Sequence, residues 1–410
     1  MTRRVVVTGL GALTPLGIDV DSTWTALNEG RSGIRRISRW DPSEMPTQIA
    51  GELPDYWDIT ELMDPKEARR ADRYTQYALW AANEAILDSG LLNTSIDPEK
   101  AGIILGTGVG GISSFEQQHK IFLERGVRRV SPFFITMMIA DIAAGMLSIK
   151  YGFKGINFTT TSACASAGHA IASSLDAIRL GRADIIITGG SEAPIIPISI
   201  AGFCQNRAMT VQNDAPQKAS RPFDAARDGF VMSEGSGIIV LEELEHAKAR
   251  GAKIYAEIAG AGTSADAFHI TAPPENGEGA FSAMKKSLED SSTSIDEIGY
   301  INAHGTSTPV GDGAECKAIK KLFPNNTPLV SSTKGALGHL LGAAAGIEAI
   351  IAIKSMNERT VLPTMNMENV SEDCIGVNHV TEIVKTDLKA VMSNSFGFGG
   401  HNTSLLFKKL

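Results

Sequence analysis

The chain repeats its own layout, in the same order both times. Val5–Leu13 (VVVTGLGAL) is an apolar strand closing on Gly-x-Gly. Tyr255–Asp266 (YAEIAGAGTSAD) has the same form, with Gly260 and Gly262 matching Gly9 and Gly11. Glu84–Gly108 reads as helix, loop, buried strand and glycine turn, and Met284–Thr308 repeats that succession. LDAI (Leu175–Ile178) and IEAI (Ile347–Ile350) lie in two Ala-rich helices, and Asp228–Leu244 parallels Asn394–Leu410. One such match is weak, because glycine-ended strands are common in α/β proteins. Four in one order point to a duplication. The halves are expected at 1–252 and 253–410. Alternating strands and helices predict an α/β fold of mostly buried sheets with helices packed on them. ADIIITGG (Ala183–Gly190) fits such a buried strand.

At 410 residues, with 43% hydrophobic and 20% charged residues, the chain can bury a large core without staples. Cys164, Cys204, Cys316 and Cys374 lie far apart without CxxC spacing. That argues against a disulfide framework or zinc site and for a reducing compartment. The N-terminus runs straight into a strand, with too short an apolar run for a signal peptide. No stretch of 18 apolar residues predicts a membrane span. The net charge of −8 argues against a general nucleic-acid binder.

TTSACASAGHA (Thr160–Ala170) places Cys164 among small residues, at a turn from the strand INFTT to an Ala-rich helix. Free N–H groups at a helix N-terminus favour a thiolate. The competing reading is a buried, inert cysteine. His304, in AHGTSTPVGD after the strand IGYIN, and His339, in STKGALGHLLGAAAG, lie at ends of elements, where open α/β sheets place ligands. A Cys/His/His metal site would normally add a local HxxxH or CxxC pair, and none is present. Lys334 and Glu348 flank His339 as a site pair or a structural bridge. His169 is better read as a helix residue facing a neighbour. In SNSFGFGGHN, Phe396 and Phe398 alternate with Gly397 and Gly399, as in a gate or a sheet-edge turn.

Other features divide similarly. GTGVGG (Gly106–Gly111) matches a dinucleotide fingerprint, but Arg125 and Gly126 stand where its acidic residue belongs, and GLGALT lacks the third glycine. No nicotinamide cofactor is expected. Lys66, Arg69, Arg70 and Arg73 have the spacing of one helical face, with Arg128 and Arg129 as additions. They read equally as a dock for an acidic partner or a solvated charged face. The first half is longer mainly through 110–150, where PFFITMMIADIAAG reads as core, dimer surface or pocket wall.

Together, TTSACASAGHAI, AHGTSTPVGD, STKGALGHLLGAAAG and NSFGFGG resemble the signatures of the β-ketoacyl-acyl carrier protein synthases, particularly the synthase II type. The resemblance runs over essentially the whole chain. It implies a thiolase-like αβαβα layered fold from two duplicated halves, a homodimer, and a decarboxylative condensation of an acyl chain with malonyl carrier protein. It implies Cys164 as acyl acceptor, His304 and His339 acting on the malonyl thioester, and Lys334 held by Glu348. Phe398 would gate, supported by Phe396 and Gly399, and its N–H would join that of Cys164 in an oxyanion hole. Thr306, Thr308 and Thr271 would bind pantetheine, and Val109 and Phe203 would line the acyl pocket. Lys66, Arg69, Arg70, Arg73 and Arg207 would receive the carrier protein. No metal or redox cofactor is implied, and a bacterial-type cytoplasmic enzyme is expected, or a mature organellar one in a eukaryote. His401 departs from the threonine of many relatives, which bears on gating. A polyketide ketosynthase and a non-catalytic chain-length partner are the alternatives. A thiolase would need a second cysteine in the C-terminal glycine turn, which is absent. A cysteine hydrolase would release free acid.

Overall fold

The computed structural model describes residues 3–325 and 327–410. Eleven strands form one hydrogen-bonded series. In the first half they are β1 (Val5–Leu13), β2 (Ala101–Gly106), β3 (Asn157–Thr160), β4 (Ile185–Glu192) and β5 (Gly235–Glu243). In the second they are β6 (Ala256–Ala265), β7 (Ile298–Asn302), β8 (Leu329–Ser331), β9 (Asn378–His379), β10 (Ala390–Gly397) and β11 (His401–Lys408). The order is β9-β8-β7-β10-β11-β6-β1-β5-β4-β2-β3. Read outward from the β6–β1 junction, both halves run first, fifth, fourth, second and third strand, and β9 is an addition to the second. The junction is short, pairing Val6 with Glu257 and Val7 with Ala256. The expected boundary at 252/253 lies between the helix Leu244–Ala249 and β6.

Of the helices among the described residues, eight bear on the layers or the site: α1 (Arg73–Asp88), α2 (Ile112–Arg125), α3 (Ile142–Tyr151), α4 (Ser166–Arg179), α5 (Glu278–Ser291), α6 (Pro309–Leu322), α7 (Lys334–Leu337) and α8 (Ala344–Asn357). Helices α1 and α3 cover the first half-sheet and α5 covers the second, where α6 packs on α5 and shares an apolar cluster with β7 and β10. Helices α4 and α8 touch strands of both halves and each other. The succession is αβαβα. A helix between two sheets has no solvent face, which explains why α8 is buried from Ala344 through Ile353 and reads as apolar all round. Acidic and basic groups there must be paired, and Glu348 is.

The duplicated glycines have a packing role. A Cβ on Gly9 or Gly11 would stand 2.1 Å from Ala85 O or 1.9 Å from Ala81 O of α1. On Gly260 or Gly262 it would stand 2.6 Å from Ser287 O or 1.9 Å from Ala283 O of α5. Each first strand thus lies directly against its outer helix, and only glycine permits that approach.

The 110–150 segment is mostly not core, contrary to the bland expectation. No residue from 131 to 140 is fully buried. Val127 is 74% exposed and Ile149 84%, with Phe122, Leu123 and Ile135 also exposed. Beside them β3 forms the sheet edge, with Phe158 exposed.

Candidate active site

Cys164 stands in the turn between β3 and α4, half-buried. Ala163 before it has φ +50°, a strained conformation for a residue with a Cβ. Local bonds hold it there. Ala165 N–H donates to Ser162 O and Ser166 N–H to Ala163 O, both at 3.1 Å. Ser162 N–H donates to Ser166 Oγ at 2.9 Å, which donates to Ala163 O at 2.7 Å. His169 on α4 does face a neighbour. That neighbour is this turn, since His169 Nδ1 lies 2.7 Å from Ser162 Oγ. Its other neighbour is His401, edge-on at 6.4 Å.

The two histidines converge on Cys164 from the second half. His304 follows β7, where Glu315 on α6 accepts from its N–H at 2.9 Å and from that of Gly305 at 2.8 Å. His339 follows α7, which ends at Gly338 with φ +73°. Its backbone is pinned by His339 N–H to Val231 O at 2.8 Å and Ser233 N–H to His339 O at 2.9 Å. The rings cross edge-on at 5.4 Å, and His339 Nε2 lies 3.0 Å from Cys164 Sγ. Behind them Lys334, fully buried, pairs with Glu348 and donates to His304 O at 2.5 Å. Removing one member of a buried ion pair typically costs about 3–5 kcal/mol, so this pair also ties α7 to α8.

Protonation states follow from these surroundings. Burial, then the Lys334 cation, then His339, holds His304 well below the usual imidazole range. Burial and Lys334 do the same to His339. Both are neutral. Burial also raises Glu348 against the pull of Lys334. Burial is the largest influence on Cys164 and pushes the thiol up to about 12; Lys334 and the Phe398 N–H pull it down, and Glu192 and Glu348 raise it. The low-pKa thiolate expected from the helix N-terminus is therefore not what the site holds. The N–H groups of Ala165 and Ser166 are taken up within the turn, which leaves desolvation to dominate. Alkylation of Cys164 by iodoacetamide is expected to keep accelerating through about pH 10, past an ordinary thiol midpoint near 8.5. A plateau below about pH 8 would contradict this reading.

These groups open on one cleft enclosing about 790 Å³, mouth included, and lined among others by Cys164, Phe203, Thr271, His304, Thr306, Thr308, His339, Phe396 and Phe398. Thr306 and Thr308 meet through their hydroxyls at 2.9 Å. Phe398 lies in the turn between β10 and β11, with its ring 6.2 Å from Phe203. That turn is tied to the 266–274 loop by Gly399 N–H to Ile270 O at 2.7 Å and Asp266 N–H to Gly400 O at 2.9 Å.

Residues 2–247 match the model of the β-ketoacyl synthase N-terminal domain, and residues 255–368 that of the C-terminal domain. The chain belongs to the β-ketoacyl synthase family. It is 47% identical over 410 residues to 3-oxoacyl-(acyl-carrier-protein) synthase 2 of Synechocystis sp., covering 99% of this chain and 98% of the relative. It is 46% identical to the protein of the same description from Vibrio harveyi, covering 100% and 99%. A β-ketoacyl synthase from Burkholderia phymatum superposes with a TM-score of 0.92 at 36% identity, covering 100% of both chains. The ishigamide ketosynthase/chain length factor gives a TM-score of 0.93 at 32% identity, again covering 100% of both.

Several expected positions fall elsewhere. Val109 does not line the cleft; it is 40% exposed, with its N–H held by the buried Glu192 at 3.2 Å. Lys66, Arg69, Arg70 and Arg73 do not share one helical face. The helix Pro65–Ala68 stops, and α1 starts afresh at Arg73 behind its Asp72 cap. Arg73 turns inward to Tyr77 OH at 2.8 Å, so it is removed from the exposed set. Lys66 and Arg69 are exposed, as is Arg70, which lies over the Phe133 ring. Arg207 is exposed, at φ +53°.

Other residues that shape the site escaped sequence reasoning. Glu315 orients His304. Arg227 is buried and gathers Thr308 O at 3.2 Å and Pro309 O at 2.6 Å while bonding Asp373 at 3.0 Å, so it fixes the loop carrying the two threonines. Gly397 admits the Cys164 turn: a Cβ there would stand 2.7 Å from Ser162 O and 3.0 Å from Cys164 N. Gly397→Ala is expected to displace the turn and slow acyl-enzyme formation roughly 100-fold, the usual cost of about 1 Å of misplacement. Mass spectrometry of the acylated protein over time measures this, and an unchanged rate contradicts the assigned contact.

Proposed function

We propose that this chain catalyses the elongation step of type II fatty acid synthesis, condensing a carrier-bound acyl chain with malonyl carrier protein to give β-ketoacyl carrier protein and CO2. The observation that carries the reading is the Cys164 sulfur 3.0 Å from a neutral His339, with His304 beside it, on the floor of one cleft.

In the first step Cys164 sulfur attacks the acyl thioester while its proton moves to His339 Nε2. The carrier thiolate leaves and takes that proton from His339, so one thioester replaces another and His339 is neutral again. The N–H groups of Cys164 and Phe398 serve the tetrahedral oxyanion. In the second step the carbon–carbon bond to the malonyl carboxylate breaks and CO2 departs. Charge collects on the thioester oxygen, where neutral His304 and His339 donate hydrogen bonds. Neutrality matters: an imidazolium would protonate the enolate rather than stabilise it for attack. The enolate carbon then attacks acyl-Cys164, and the sulfur leaves as a thiolate and takes up one proton from solvent, the proton that loss of CO2 from a carboxylate consumes overall. Lys334 and Glu348 hold the histidines' framework. Thr306, Thr308 and Thr271 line the route for the pantetheine arm, Phe203 the acyl side, and Phe398 with Phe396 and Gly399 the gate between them. His401, beside Gly399, influences the gate.

Carrier protein docks through Lys66, Arg69, Arg70 and Arg207. In support, one related structure, 30% identical with a TM-score of 0.91, is described as a type II PKS acyl-carrier protein in complex with its ketosynthase. Two copies of the chain pair through the exposed apolar residues of 110–150 and the open β3 edge, features that call for a partner. The halves 1–252 and 253–410 act as one catalytic unit, because Cys164 comes from the first and both histidines from the second. The setting is the bacterial cytoplasm: the relatives are bacterial, and no helix among the described residues is long and apolar enough to cross a membrane.

A polyketide ketosynthase is the second reading, favoured by the likeness to the ishigamide protein. Elongation assays over primers of graded length, with malonyl carrier protein as extender, separate the two. One two-carbon addition per turnover to saturated primers supports the fatty acid reading. Repeated unreduced additions support the other.

A further inference from the structure

We infer that Cys164, His304 and His339 also form an inhibitory site for one exchangeable soft divalent metal ion, of which zinc is the type. The sulfur and one nitrogen from each imidazole all lie within 4.8 Å of one another. Both histidines are buried and line the same cleft as the sulfur. Tetrahedral zinc takes thiolate at about 2.3 Å and imidazole at about 2.0–2.1 Å, which sets donor separations of roughly 3.3–3.6 Å. The Cys164–His339 pair, at 3.0 Å, has to open slightly. The widest pair has to close by about 1 Å to reach those separations, within reach of side-chain rotation. Three protein donors facing a cleft leave the fourth position to water, the arrangement of open zinc sites.

The same surroundings make the ion exchangeable. A resident zinc site fixes each histidine through its second ring nitrogen. Here Nδ1 of His304 and of His339 has no partner among the described residues. Lys334 adds a cation nearby, though Glu348 matches its charge. Binding replaces the S–H bond of Cys164 by an S–metal bond and releases one proton to solvent, with no change of oxidation state. The metal and an electrophile therefore compete for one sulfur. Metal binding needs only the donor geometry, whereas its inhibitory effect rests on the condensation reading; the test reads binding and alkylation, so the two can fail separately.

The test titrates the metal-free, full-length protein with Co2+ and then Zn2+ in thiol-free buffer. One equivalent of Co2+ is expected to raise a thiolate-to-cobalt charge-transfer band in the near ultraviolet, and Zn2+ to bleach it. Either metal slows alkylation of Cys164 at least tenfold, and EDTA restores it. Cys164→Ala and His304→Asn lose the band, whereas Cys204→Ala keeps it. Circular dichroism identifies a misfolded His304→Asn protein, in which case the Cys164→Ala and Cys204→Ala pair decides. Absence of the band, its persistence in Cys164→Ala or in folded His304→Asn, or alkylation indifferent to metal overturns the inference.

Discussion

Cys164→Ala abolishes condensation while malonyl decarboxylation continues. Removing a nucleophile that becomes the covalent carrier deletes the reaction path, so the loss in condensation is expected on the order of 10,000-fold or more. The second half-reaction needs an oxyanion-stabilising pair and no sulfur, and His304 and His339 retain their supports from Glu315, Val231 and Lys334. Two assays on one protein check this: product thioester by mass spectrometry, and CO2 release from malonyl carrier protein. A Cys164→Ala protein that still elongates a primer refutes the assignment of the acyl carrier.

The opposite pattern is expected of the histidines. His304→Ala and His339→Ala each remove a hydrogen-bond donor aimed at the developing enolate, a change worth roughly 100- to 1000-fold in rate. Decarboxylation should fall by that factor in both. Acyl transfer should separate them. His339 lies 3.0 Å from the sulfur and in the proposed mechanism receives its proton, so His339→Ala is expected to slow Cys164 acylation as well. The Cys164–His339 contact survives in His304→Ala, which should acylate much more nearly as the unaltered protein does. Equal acylation defects in the two variants would mean that proton transfer from Cys164 does not run through His339.

The layered fold is legible because its determinants are local. Gly9, Gly11, Gly260 and Gly262 mark two strands pressed against helices, and α8, apolar from Ala344 to Ile353 but for Glu348, marks a helix between sheets. The convergence of Cys164, His304 and His339, the proposed catalytic trio, is legible because each occupies the end of an element beside small residues. What the sequence withholds is what depends on neighbours distant in the chain. Cys164 sits before a helix, yet burial is the largest influence on its thiol and pushes it up. Arg73 has the spacing of a surface residue, yet a break after Ala68 turns it toward Tyr77. Glu315 and Arg227 lie in ordinary polar stretches, and nothing in their spacing shows that they hold His304 and the Thr308 loop. The apolar run near 131–140 looks like core because composition does not distinguish a buried face from an exposed one.

The most direct test is the stoichiometry of one reaction: acyl carrier protein and malonyl carrier protein mixed with the protein, with CO2 and thioester products counted together. One CO2 is expected for each β-ketoacyl carrier protein two carbons longer than the primer, with acyl-Cys164 detected on the way. Release of free acid without chain extension, or extension with no acyl group on Cys164, would contradict the proposed reaction.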